Sequence, residues 1–236
     1  MTAPTTAMVL AAGLGTRLRP LTDDRPKALV ELAGRPLIDH MLARLAQAGV
    51  ETAVVNVHYF ADRLEAHVLA RAGPPAIVVS DERPQALETG GGVKHALPLL
   101  GDDPVWVANI DSVWMEDGVP ALDAVVQAWD PTRMEVCLLL APTSTSLGFH
   151  DDGDIFLSPD GTVRFKTPGE RAPYVYVGVH ICNPRIVANG PDGPFSLTPI
   201  WRALAAQGRV FGVAPPGLWM HVGDPGALAV AEARLR

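Results

Sequence analysis

The sequence predicts a three-layer α/β fold, with a mixed, mainly parallel central sheet between two layers of helices and a small antiparallel insert. Three observations lead there. Short apolar runs alternate with amphipathic helical patterns over the first half of the chain, the pattern of strands buried on both faces and the helices that cover them. Between 148 and 180 the pattern changes to short alternating segments punctuated by Asp152-Gly153, Asp160-Gly161 and Pro168-Gly169, as hairpins require. At 236 residues, 48% hydrophobic and 19% charged, the chain can bury one sizeable core, and residues 1–236 read as a single domain without repeat or linker.

The elements follow in order. Residues 8–12 are apolar throughout and read as a buried strand. Residues 36–48 place Leu37, Ile38, Met41, Leu42 and Leu45 on one helical face, with Gly49 as the stop. A strand over 52–57, a helix over 61–70 and a strand over 76–80 continue the alternation. A helix over 92–100 follows a glycine run, and a strand over 104–108 leads into Asn109-Ile110-Asp111. A helix over 121–128 and a strand over 136–141 precede the insert, read as lying over the open end of the sheet. The chain closes with a helix over 198–207, a strand over 210–213 and a helix over 225–235.

Composition excludes several functions. A net charge of −7 argues against a general nucleic-acid binder, which needs a basic face to neutralise many phosphates. No apolar run reaches the roughly 18 residues of a membrane span, and the N-terminus lacks the basic flank of a signal peptide, so the expectation is a cytoplasmic protein without membrane contact. Cys137 and Cys182 fall in apolar strand-like stretches and read as buried free thiols. The seven histidines show no zinc-ligand spacing, and no nucleophile-elbow pattern supports serine hydrolysis.

The chemistry concentrates near the N-terminus. Gly13-Leu14-Gly15 breaks an apolar run, and Arg17, Arg19, Arg25 and Lys27 follow closely. Glycine turns present backbone amides, and fixed cations beside them suit a polyphosphate. The spacing fits neither the dinucleotide fingerprint nor the Walker A loop. Glu88-Thr89-Gly90-Gly91-Gly92 forms a second glycine run, read as exposing amides against a flat ring. Asp111 follows a buried strand, where open α/β sheets place ligand-binding groups.

The full string Leu-Ala-Ala-Gly-Leu-Gly-Thr-Arg-Leu-Arg-Pro-Leu-Thr at 10–22, with Pro-Lys-Ala-Leu-Val at 26–30 and Gly-Arg-Pro-Leu-Ile at 34–38, resembles the sugar-1-phosphate nucleotidylyltransferases. The likeness runs from about residue 8 to the end and is strongest to short members that lack a C-terminal β-helix domain. It implies a Rossmann-like nucleotidyltransferase fold and transfer of a nucleotidyl group from a nucleoside triphosphate to a sugar 1-phosphate, releasing pyrophosphate. The Glu-Thr-Gly-Gly-Gly version of the base loop favours the uridylyl branch, with UTP and N-acetylmuramate 1-phosphate, and hence cell-wall sugar recycling, as the preferred reading. Mannose-1-phosphate guanylyl transfer and a catalytically silent nucleotide-sugar sensor are the alternatives. The expected partners are these small molecules, with no nucleic acid, membrane or obligate protein partner.

By resemblance, Arg17, Lys27 and Asp111 are catalytic, and Ala11, Ala12, Gly13, Gly15, Thr16, Arg17, Glu88, Thr89 and Gly90 bind the nucleotide. Glu88 has three open roles, since its carboxylate could accept from guanine, face the ribose or face solvent. Asn109, Gly153, Asp154, Lys166 and Gly178 are implied to bind the sugar phosphate, which puts the insert on the sugar side. The implied cofactor is Mg²⁺, held by Asp111. In Trp219-Met220-His221-Val222-Gly223-Asp224, His221 stands where relatives carry the second metal aspartate. Imidazole suits Mn²⁺ or Zn²⁺ better than hard Mg²⁺, so Mn²⁺, or Asp224 as the replacement ligand, stays open.

Overall fold

A computed structural model describes residues 3–149 and 152–235; His150 and Asp151, within the 148–180 insert, lie outside the described residues. The first half contains β1 (Thr6–Leu10), β2 (Glu31–Leu32), β3 (Arg35–Pro36), α1 (Leu37–Gln47), β4 (Thr52–Val57), α2 (Ala61–Leu69), β5 (Ala76–Asp81), α3 (Glu88–Leu100) and β6 (Val105–Asn109). Then come β7 (Ser112–Glu116), α4 (Ala121–Ala128), β8 (Val136–Pro142), β9 (Ile155–Leu157), β10 (Val163–Phe165) and β11 (Tyr174–Cys182). The chain ends with α5 (Thr198–Ala205), β12 (Val210–Val213), β13 (Gly217–His221) and α6 (Pro225–Leu235).

Across the main sheet the strands run β5-β4-β1-β6-β11-β8-β12. β5, β4, β1 and β6 pair in parallel, as do β8 and β12, while β11 runs against both its neighbours. The expected mixed, mainly parallel sheet is what the chain forms. The insert strands β9 and β10 make an antiparallel hairpin that joins the main sheet through Tyr174 of β11.

Alternation along the strands divides the core into two clusters, one on each face. Ala7 and Val9 of β1, with Val55 of β4 and Ala108 of β6, pack with the apolar faces of α1, α2 and α4. Met8, Val54 and Val107 point the other way, against Val93 and Ala96 of α3 and Trp201 of α5. Strands buried on both faces leave no room for polar residues except where a partner waits. Asn56, a buried polar residue of β4, is therefore informative.

Three differences from the sequence expectation bear on the site. β1 stops at Leu10 rather than running to residue 12, because the Ala11 and Ala12 amides leave the ladder and donate to Asn56 Oδ1. α3 starts at Glu88 rather than at residue 92, so the three glycines lie inside its first turns. β7 and β13 were not expected, and they form a two-stranded antiparallel sheet in which His221 faces Ser112. Stacking of Trp114 on Trp219, centroids 4.5 Å apart, holds that pair together, a contact worth about 1 kcal/mol beyond area burial.

Cys137 and Cys182 are buried free thiols, as expected, with burial pushing both up to about 12. His180 of β11 is also fully buried, edge-on to Trp201 and with Nδ1 2.7 Å from the Tyr176 hydroxyl. Burial pushes its pKa down to about 3. The folded state keeps this imidazole neutral while the unfolded chain protonates it below about 6.5, so stability falls with falling pH across that window. Replacing His180 with Phe should flatten the dependence: between pH 7 and pH 5 the wild type should lose about 2 kcal/mol more unfolding free energy than the variant in urea titrations. Equal losses would remove His180 from the acid response.

Candidate active site

The cleft opens at the C-terminal ends of β1, β4 and β6. Leu10, Ala12, Gly13 and Leu14 form one wall, and Ala86, Leu87, Glu88 and Thr89 another, around a cavity of about 470 Å³. Leu10, Gly13 and Asn109 also border a smaller recess of about 110 Å³, whose floor is Lys27, Ile110 and Asp111. A second hollow, of about 440 Å³ near the start of β1 and β6, gathers no cation among its lining residues.

The loop after β1 is stitched by its own residues. Gly15 adopts φ +65, and a Cβ there would sit 2.9 Å from both Lys27 Cβ and Thr22 Cγ2. Glycine is thus required twice over, by conformation and by crowding. The Gly15 carbonyl accepts from Leu18 N and from the buried Thr22 hydroxyl, and Thr16 opens the following 3₁₀ turn with Arg17 exposed on it.

Lys27 begins a second 3₁₀ turn after Pro26, anchored by the buried Ala28. Its Nζ donates to Asp111 Oδ2 at 2.6 Å, with both side chains largely buried. Asp111 sits in the short link between β6 and β7, and its carbonyl accepts from Val222 N at 2.7 Å. This ties the link to the end of β13. His221 Nδ1 lies 3.9 Å from Asp111 Oδ2, and the imidazole packs against Phe149. A Cβ at Gly223 would lie 2.7 Å from His221 Nε2 and 3.6 Å from Arg17 Nη1, which places the Arg17 guanidinium at the same corner.

The charges are arranged to keep Asp111 ionised. Burial alone would raise its carboxyl, but the Lys27 ammonium beside it outweighs that and holds it below the usual range. Burial lowers His221, as do Lys27 and Arg17, against the opposing pull of Asp111 and Asp224. The imidazole is therefore neutral near pH 7.

Of the residues singled out in the sequence, Ala11, Ala12, Gly13, Lys27, Glu88, Thr89, Asn109 and Asp111 line the cleft. Glu88 is exposed at its mouth in a left-handed conformation, φ 59. Thr89 Oγ1 accepts from Leu197 N, which pins α3 to the chain leading into α5. Asp154 and Lys166 lie on the hairpin, 3.9 Å apart, outside the cleft lining.

Three expectations change. Gly90 is buried and its N–H donates to Phe195 O; a Cβ there would overlap the Phe195 ring, so this glycine exists for packing and offers no amide to a base. Gly153 packs against the Ala172 and Tyr174 carbonyls at the foot of the hairpin, which leaves no face for a sugar phosphate. Gly178 allows close approach by the Asn109 side chain rather than by a ligand. Asp224 Oδ1 accepts from Ala227 N, so this carboxylate caps the start of α6.

Sequence reading missed Asn56 and Glu82, both 2% exposed. Asn56 Nδ2 donates to Glu82 Oε1 at 2.8 Å, while Glu82 Oε2 accepts from Leu87 N at 3.2 Å. A single polar residue in the apolar run 53–57 was the signal that could have found Asn56.

A glycine turn, an Arg17 corner and a buried Lys27–Asp111 pair at the mouth of a parallel sheet define an α/β enzyme that handles phosphate groups. The chain belongs to the sugar-1-phosphate nucleotidyltransferases, and residues 7–145 match the MobA-like NTP transferase domain family. It is 72% identical over 236 residues to N-acetylmuramate alpha-1-phosphate uridylyltransferase of Caulobacter vibrioides, covering 99% of this chain and 98% of that one. To the protein of the same name from Neisseria meningitidis serogroup B it is 36% identical over 229 residues, 96% of each chain. The structure of the inositol-1-phosphate CTP transferase from T. maritima superposes with a TM-score of 0.79, covering 98% of this chain and 95% of that one at 20% identity; this likeness shows the fold.

Changing Lys27 to Ala or Asp111 to Asn should each lower turnover by about 10²–10³-fold, the scale of losing one preorganised charge at a reacting phosphate. Melting temperature should move little. Near-wild-type rates in folded variants would remove these residues from the chemistry.

Proposed function

We propose that the protein transfers the uridylyl group of UTP to N-acetylmuramate 1-phosphate, yielding the UDP-sugar and pyrophosphate. The observation that carries the chemistry is the Lys27–Asp111 pair on the floor of the glycine-loop cleft. The substrates are those in the name of the 72% identical Caulobacter relative.

A phosphate oxygen of the sugar phosphate attacks the α-phosphorus in line. The new P–O bond forms as the bond to the β-phosphate oxygen breaks, and pyrophosphate leaves with the electron pair. A phosphate oxygen is already ionised near neutral pH, so no general base is needed, and rate comes from alignment and charge stabilisation. Lys27 supplies a fixed positive charge where negative charge spreads over the equatorial oxygens, and Arg17 supplies a second at the rim. The loop after β1 positions the triphosphate. Lys166, with Asp154 beside it, is assigned to the acceptor sugar phosphate.

Mg²⁺ is the proposed cofactor, and the residues present fit it in one respect. Asp111 offers a hard carboxylate whose Oδ1 is not engaged by Lys27. Among the described residues no group of three or more His, Cys, Asp or Glu side chains could hold a metal ion. An ion at Asp111 would then take most of its ligands from phosphate oxygens and water, as Mg²⁺ commonly does, and would neutralise phosphate charge there. The neutral His221 beside it is suited to a hydrogen bond with phosphate or water. No helix among the described residues is long and apolar enough to cross a membrane.

Pyrophosphate release should be followed with Mg²⁺ while UTP, GTP, dTTP and CTP are crossed with N-acetylmuramate, glucose, N-acetylglucosamine and mannose 1-phosphates. The expected result is a preference of at least about 100-fold in kcat/KM for UTP with N-acetylmuramate 1-phosphate, within reach of a site that reads polar groups by hydrogen bonds. A preference for GTP with mannose 1-phosphate would replace this assignment, and ligand binding without turnover would make the protein a sensor.

A further inference from the structure

The two walls of the cleft come from distant parts of the chain, and one buried chain of hydrogen bonds joins them. Asn56 Oδ1 accepts from Ala11 N at 2.6 Å and Ala12 N at 3.1 Å. Asn56 Nδ2 donates to Glu82 Oε1 at 2.8 Å, and Glu82 Oε2 accepts from Leu87 N at 3.2 Å. Both side chains border the larger cavity. The third glycine of the run belongs to the same arrangement, because a Cβ at Gly92 would lie 3.0 Å from Glu82 Oε1 and 3.1 Å from Asn56 Nδ2.

We propose that Asn56 and Glu82 are positioning residues that form a strut, setting the Ala11–Ala12 corner of the phosphate-facing loop at a fixed distance from the Leu87 end of the opposite wall. The inference rests on the reading of this cleft as the nucleotide site. Where β1 ends, the Ala11 and Ala12 amides lose their strand partners, and a buried donor without an acceptor is costly. One side-chain oxygen takes both, which fixes the direction in which Gly13 leaves the sheet. The chain has a single polarity: the Asn56 oxygen must face two N–H donors and its nitrogen must face a carboxylate, so the amide cannot flip without breaking three bonds. A disturbance at either residue therefore reaches both walls.

This polarity yields a test by exchange. Asn56→Asp sets two carboxylates against each other. Glu82→Gln sets an amide against an amide and leaves either Asn56 Nδ2 or Leu87 N without an acceptor. The double variant Asn56→Asp/Glu82→Gln restores every bond: the carboxylate at position 56 accepts from Ala11 N, Ala12 N and the new amide, whose oxygen accepts from Leu87 N. Volume and net charge match the wild type.

UTP binding is measured by calorimetry, with KM for N-acetylmuramate 1-phosphate and melting temperature alongside. Each single variant should weaken UTP binding by about 10-fold or more, and the double variant should return to within about 3-fold of wild type. The sugar phosphate KM should stay within about 2-fold throughout, since a general distortion would move both substrates together. Unchanged UTP binding in the single variants, a double variant as weak as the two losses multiplied, or a parallel rise in both constants would overturn the strut. If Asn56→Asp does not fold, Glu82→Gln and the double variant decide alone. Wild type that binds UTP but transfers it to no sugar 1-phosphate would refute the acceptor assignment while leaving this test in force; wild type that binds no UTP would overturn both.

Discussion

A lysine brought from the N-terminal segment onto an aspartate at the end of the central strand organises this molecule. Lys27 and Asp111 stand 84 residues apart in sequence and 2.6 Å apart in space. Moving two charges out of water costs several kcal/mol, which mutual attraction repays only with good geometry, so such a pair is weak evidence for stability. What it secures is a fixed ammonium at the bottom of a recess, beside an ionised carboxylate. In the proposed reaction, a phosphate entering that recess would meet a cation already in place, which is how electrostatic preorganisation lowers a phosphoryl-transfer barrier.

The fold supplies the rigidity this arrangement needs. β1 and β6 are adjacent parallel strands, with Leu10 beside Asn109, so the loop after one and the link after the other leave the sheet side by side. Helices on both faces bury the middle of these strands, and the cleft takes its shape from what lies beyond their ends. The small β7–β13 sheet then returns the C-terminal segment to the same point. Its register sets His221 opposite Ser112, and the Val222 amide closes onto the Asp111 carbonyl. Three separate stretches of chain thus converge on one carboxylate.

Local pattern made much of this visible in the sequence. Strands 52–57 and 210–213 and helices 121–128 and 225–235 form over the expected residues, because apolar periodicity and turn residues agree there with the tertiary structure. Lys27 and Asp111 were recognisable from their motifs. The glycines were harder, since the same residue type serves an exposed turn at Gly13 and tight packing at Gly90 and Gly153; sequence cannot tell an open approach from one already filled by Phe195 or by a carbonyl. Asp224 shows a related ambiguity, a carboxylate beside a metal motif that also caps a helix. Asn56 and Glu82 escaped notice because their partners, the Ala11, Ala12 and Leu87 amides, become available only once the strands have aligned.

If Lys27 and Asp111 act as one unit, their contributions to catalysis cannot be independent. Single-turnover rates of uridylyl transfer in a cycle of Lys27→Met, Asp111→Asn and the double variant test this directly. The account requires that the second change cost little after the first, with the double variant within about 5-fold of the slower single variant. Losses that multiply would contradict it, because two groups acting separately need not be held together at the floor of the cleft.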